Sequence, residues 1–151
     1  MDAQMLAGKT AISKITAALL CCLAIAASAA HAQENAAMNI IVKSCAHEVV
    51  CTLGASRAAK DLLAQLPLTL NISDYAGKEK TFSPPKKLDT TDATLAAGTK
   101  RSLAYFAPWN NVVLFYRDGG PFSGLYELGE CASGATAIEK LRGRVTVSAH
   151  E

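Results

Sequence analysis

Apolar and polar residues alternate in short runs along most of this chain, and few stretches are long enough for a helix. Val49, Cys51 and Leu53 alternate with Val50 and Thr52, the two-residue period of a half-buried strand. Asn39 to Ser44 forms a similar run just before, so the pair predicts a hairpin that turns near Cys45-Ala46 or the next pair. A different period follows. Ser56 suits a helix N-cap, and over Arg57 to Leu66 the residues Ala59, Leu62, Leu63 and Leu66 fall on one helical face. Arg57, Lys60, Asp61 and Gln65 lie largely elsewhere, and Pro67 stops the helix. Leu68 to Ile72 alternates again as a strand, Asp74 to Gly77 reads as a turn, and Glu79 to Phe82 as a short strand. Ser83-Pro84-Pro85 cannot join a sheet interior, and Lys86 to Thr99 reads as a long surface loop with at most one helical turn. Strands are expected over Leu103 to Ala107, Val112 to Tyr116, Leu125 to Leu128 (ended by Gly129) and Val145 to Val147. Val112 to Tyr116 is apolar almost throughout, which marks a strand buried on both faces. Pro108-Trp109-Asn110 is a tight connection, Arg117 to Pro121 a loop, and Ala135 to Leu141 a short helix.

Roughly eight short strands with one amphipathic helix and one short helix make a mainly β fold. A small closed β-barrel with a helix plugging one end fits best, and a β-sandwich is the alternative. The chain has 151 residues, enough for one domain.

The first 32 residues are set apart. Lys9 and Lys14 give a positive start, Ile15 to Ala30 is small and apolar, and Ala30-His31-Ala32 places small residues where a signal peptidase reads. This predicts a secretory signal at 1–32 cleaved after Ala32, a flexible leader at 33–38 and a barrel domain at 39–148. The product would be periplasmic or secreted, with no stable membrane insertion after cleavage. The remaining 119 residues carry 13 basic and 12 acidic side chains. That near-neutral balance speaks against a nucleic-acid partner. Cys45, Cys51 and Cys131 stay after cleavage, and their pairing is open. Cys51 sits in an alternating run as a small buried hydrophobe. With His47 and His150 the only histidines beyond the signal, no zinc or other metal site is expected, and no motif calls for a cofactor. Catalytic triads and glycine-rich phosphate loops are likewise missing.

All nine aromatic residues lie between Tyr75 and Tyr126, seven of them from Tyr105 onward. Packing accounts for Phe106 and Phe115. Tyr105, Trp109, Tyr116 and Tyr126 carry polar tips suited to a cleft with an apolar wall and a hydrogen-bonding rim. With Phe122 and the two amides Asn110 and Asn111, they are the candidate ligand-binding residues for a peptide or small molecule. Ala107-Pro108-Trp109-Asn110-Asn111 is the most site-like segment.

Leu66-Pro67-Leu68-Thr69-Leu70-Asn71, Ser73-Asp74-Tyr75 and Gly77-Lys78-Glu79-Lys80 together resemble the small bacterial cyclophilin-like fold family. Ala104 to Asn111, Leu114-Phe115-Tyr116, Ser123-Gly124-Leu125 and Leu128-Gly129 extend the resemblance over Met38 to Val147. It implies a small cyclophilin-type barrel with few helices. It does not by itself imply an activity. Prolyl isomerases of the cyclophilin type use an arginine followed after four residues by Phe-Met-x-Gln. Here Arg101 precedes Phe106 at that spacing, but Ala107 and Trp109 stand where the Met and Gln would be. The expectation is therefore a binding module with an aromatic cleft. The alternative is a peptidyl-prolyl isomerase with non-standard residues, for which Arg101 and Arg117 are the catalytic candidates.

Overall fold

The structure, a computed structural model, describes residues 38–150. The expected signal at 1–32 and all but the last residue of the expected leader lie outside the described residues. Met38, that last residue, already belongs to the first strand. In chain order the elements are β1 (Met38–Lys43), β2 (Glu48–Leu53), helix α1 (Arg57–Ala64), β3 (Leu68–Tyr75), β4 (Glu79–Phe82) and β5 (Ser102–Phe106). A 3-10 turn (Ala107–Trp109), β6 (Asn111–Phe115), β7 (Leu125–Cys131), helix α2 (Ala135–Lys140) and β8 (Gly143–His150) complete them. The strands close into an antiparallel barrel in the order β1-β2-β7-β5-β6-β4-β3-β8, with β8 returning to β1.

Closure sorts every strand residue onto an inner or an outer face. Ile40, Val42, Val49, Cys51, Leu103, Tyr105, Val112, Leu114, Val145 and Val147 point inward and form the main core. The two helices close opposite ends. Helix α1 joins β2 to β3 at one end and buries Ala58, Ala59 and Leu62. Its N-cap is the one expected: the Ser56 hydroxyl accepts the Ala59 N–H at 3.2 Å. Helix α2 joins β7 to β8 at the other end and buries Ile138, with Leu141 just beyond it. Cys51 is fully buried and bonded to Cys131, its direct cross-strand partner in β7. Cys45 is exposed and has no partner among the described residues.

Two expectations need correction. The segment from Lys86 to Thr99 is not wholly on the surface: Leu88 and Ala96 are buried, and Leu95 bridges to Tyr126. Gly129 does not end its strand, which runs on to Cys131. The glycine is there because β2 passes so close that a Cβ would collide with the Thr52 carbonyl oxygen.

One charged side chain enters the barrel. Lys80 is buried, and its Nζ lies 2.8 Å from Asp74 Oδ2, which also accepts the Tyr116 hydroxyl at 2.8 Å. The Lys80 hydrogen bond, helped by the one from Tyr116, holds the Asp74 carboxyl below its ordinary value against the cost of its burial. Burial, and then the hydrogen bond to Asp74, push the Tyr116 hydroxyl up to about 12. A group whose folded pKa is depressed stabilises the fold above its unfolded pKa and ceases to do so as pH falls through the folded value. Asp74→Asn leaves Lys80 without its counter-charge. It is expected to lower the unfolding free energy at pH 7 by about 1–2 kcal/mol, at the low end because Asp74 is partly open to water. Urea denaturation measures this, and the variant should also show a flatter acid side to its stability profile. An unchanged urea midpoint would contradict the role assigned to the pair.

Candidate functional site

The outer face of β6 and β5 carries apolar residues as well as the inner one, and β4 borders it with Glu79 and Thr81. Ladder register sets this. Tyr75, Glu79 and Phe115 lie in one cross-strand row, Ser73, Thr81, Val113 and Ala104 in the next, and Asn111, Phe106 and Leu125 in a third. Ala96, Ala104, Val113, Phe115 and Leu125 form a second buried cluster on this outer face, with Phe106 packed beside it. A cavity of about 310 Å³ opens above it, floored by Val113, Phe115 and Leu125 and walled by Tyr75, Phe106, Trp109 and Phe122. This volume falls at the small end of ligand sites.

Two long connections make the rim. The Gly98 carbonyl accepts the N–H groups of Gly119 (2.8 Å) and Gly120 (3.2 Å), tying the β4–β5 connection to the β6–β7 connection. Gly119 lies flat on the floor: a Cβ there would collide with the Phe115 ring. Ala107 N–H donates to the Gly124 carbonyl at 3.0 Å, which ties the 3-10 turn to the same rim.

Trp109 stands at the exposed end of that turn. Asn110 follows it in the left-handed conformation, φ 52°, which asparagine tolerates better than most residues. Its Nδ2 donates to the Pro84 carbonyl at 3.0 Å, and its Oδ1 accepts the Tyr105 hydroxyl at 2.9 Å. The turn is therefore anchored from both sides while the indole stays 57% exposed. Trp109 meets Tyr75 edge-to-face at 5.7 Å and Phe106 edge-to-face at 5.2 Å, which gathers three rings at one corner.

The polar groups at the cavity are few: Lys78, Glu79, Thr81 and Asn111 among them. Asn111 Oδ1 accepts the Ser83 hydroxyl at 2.7 Å. The Glu79 carboxyl is raised above its ordinary value, first by burial and then by the negative charge of Asp74, with Lys78 acting the other way. Among the described residues no cluster of His, Cys, Asp and Glu could hold a metal ion, and no helix is long and apolar enough to cross a membrane.

Of the residues proposed from sequence, Trp109, Asn111 and Phe122 come together around this cavity. Tyr105, Asn110 and Tyr116 do not. The first two form the buried anchor under the turn, and Tyr116 faces the barrel mouth beside Lys80. Tyr126 pairs with Tyr105 across β5 and β7, away from the cavity. Neither arginine reaches it. Arg101 donates through Nε to the Cys131 carbonyl at 2.9 Å and pairs with Glu130, while Arg117 pairs with Glu139 and lies over the Tyr116 ring. Phe106 and Phe115 pack in the outer cluster as expected and also line the cavity, and Tyr75 and Glu79 join it without having been candidates in the sequence. The signal was present in β4, where buried Lys80 and Phe82 force Glu79 and Thr81 outward.

Asn110→Ala removes both anchoring hydrogen bonds and places alanine at positive φ. We expect a loss of about 1–3 kcal/mol in stability. Trp109 fluorescence should change at the same time, because the turn that holds the indole against Tyr75 and Phe106 loosens. Wild-type emission in the variant would show that the turn is held by other contacts.

A family model described as "Cyclophilin-like family" matches residues 42–150. Among solved structures, the chain is similar to the solution structure of a hypothetical protein from Archaeoglobus fulgidus, at 16% identity and a TM-score of 0.55. That match covers 74% of this chain and 94% of the archaeal one, and it speaks to fold alone. No curated protein matches the chain.

Proposed function

We propose that this chain, which belongs to the cyclophilin-like family, is an exported binding module that holds the apolar part of a peptide or small molecule in the outer-face cavity. One observation carries the reading. Trp109 and Phe122 are 57% and 56% exposed, yet both stand at the rim of an apolar cavity. Large apolar groups kept in water around a concave apolar floor suit a binding site better than a packed core.

Export has its own support. The N-terminal 32 residues have the three-part pattern of a secretory signal. The buried Cys51–Cys131 disulfide suits an oxidising compartment. The isomerase alternative asked for an arginine at the cleft, and both candidates are engaged elsewhere. Binding without bond rotation is thus the reading we favour.

Two measurements test it. Protein expressed as the full chain in a bacterial host should be recovered from the periplasmic fraction with Gln33 as its first residue, read by mass spectrometry. An intact N-terminus on cytoplasmic protein would contradict export. Trp109 is the only tryptophan, so its fluorescence reports on the rim directly. Titration with neutral capped dipeptides bearing Leu, Phe or Pro should quench or shift it saturably. Phe122→Ala should weaken that binding about 3- to 10-fold, the loss expected from removing part of an aromatic contact. No saturable change with any of these probes would remove the proposal.

A further inference from the structure

Glu79 differs from the other partly buried carboxylates of the barrel. Asp74 accepts from Lys80 and Tyr116, and Glu127 accepts from Ser102. The Glu79 side chain makes no hydrogen bond and no ion pair among the described residues. Yet register places it between Tyr75 on β3 and Phe115 on β6, in a mostly apolar cavity whose other polar side chains are Lys78, Thr81 and Asn111. A carboxylate set among aromatic rings is costly unless a cation meets it.

The neighbouring rings have the geometry to help. Tyr75 and Phe106 stand at 76° and 88° to the plane of Trp109, so the indole face and the faces of its two neighbours turn in different directions at this corner. Ring faces are negative and attract cations, most strongly for tryptophan and once water is excluded. Lys78 is the one cation lining the same cavity; it is exposed on the β3–β4 turn and forms no ion pair with Glu79.

Resting on the cavity reading above and narrowing it, we infer that the site selects an organic cation: an alkylated ammonium group seated against Tyr75, Trp109 and Phe106 with Glu79 as its counter-charge. The apolar floor takes the ligand's hydrocarbon part. Burial, and then the negative charge of Asp74, raise the Glu79 carboxyl, and exposed Lys78 offsets this only in part.

The test uses two molecules of the same shape, phenyltrimethylammonium and tert-butylbenzene, titrated against Trp109 fluorescence in the full chain as exported. The cation should bind at least tenfold tighter than the neutral molecule. Glu79→Gln should weaken cation binding at least fivefold, leaving only the preference the rings supply, while tert-butylbenzene still binds, which also shows that the variant is folded. Lys78→Ala should leave cation binding intact or strengthen it. If the neutral molecule binds as well as the cation, or Glu79→Gln changes nothing, the cation inference falls and the apolar cavity stands. If benzoate binds best and Lys78→Ala abolishes it, the cavity selects anions and the inference is overturned. If none of the probes binds, the cavity reading fails with it.

Discussion

The two-residue period of the strands governs both the stability and the chemistry of this barrel. Along β4, Lys80 and Phe82 turn inward while Glu79 and Thr81 turn outward. The same parity in β6 sends Val112 and Leu114 to the main core and Val113 and Phe115 to the opposite face. A slip of one residue would exchange these sets and drive Glu79 into the barrel. Register is held by closure itself, since each strand is paired on both sides, and by the Cys51–Cys131 bond between facing residues. The candidate site is therefore an outer surface whose positions the inner core dictates.

An apolar outer face must be covered or used. Here it is partly covered. The two long connections meet through Gly98, Gly119 and Gly120 and bury Ala96 over the cluster, but they leave Tyr75, Trp109 and the connection's own Phe122 exposed. Backbone hydrogen bonds hold the rim without filling it. The 3-10 turn adds a rigid post: Asn110 is bonded below to Tyr105 and across to Pro84, and the indole it carries stays in the open. Rim residues fixed by backbone contacts lose little conformational freedom when a ligand arrives.

Much of the fold could be read from the sequence because strand periodicity, helix capping and proline punctuation are local signals. The β1–β2 hairpin, the Ser56 cap and the two-sided burial of β6 are examples. The site was less legible because it depends on which strands become neighbours. Trp109 drew notice as an aromatic on a loop, and it does line the cavity. Tyr105 and Tyr116 drew notice for their polar tips, but parity turned both inward, where buried hydroxyls found Asn110 and Asp74. Glu79 looked unremarkable in the chain. Only the pairing β3-β4-β6 sets it between Tyr75 and Phe115. Likewise, Cys51 had no visible partner until β2 and β7 lay side by side.

The central claim is that ligands meet the outer face of β4, β6 and β5. Backbone amide shifts in a two-dimensional NMR titration with a saturating aromatic probe test it most directly. The account predicts that shifted amides cluster in residues 75–81, 106–113 and 119–125, with β1 and β8, across the barrel from β5 and β6, unmoved. Shifts gathered instead at Ser44, Cys45, His47, Lys140 and Arg142, which line a separate cleft at the α2 end, would contradict it.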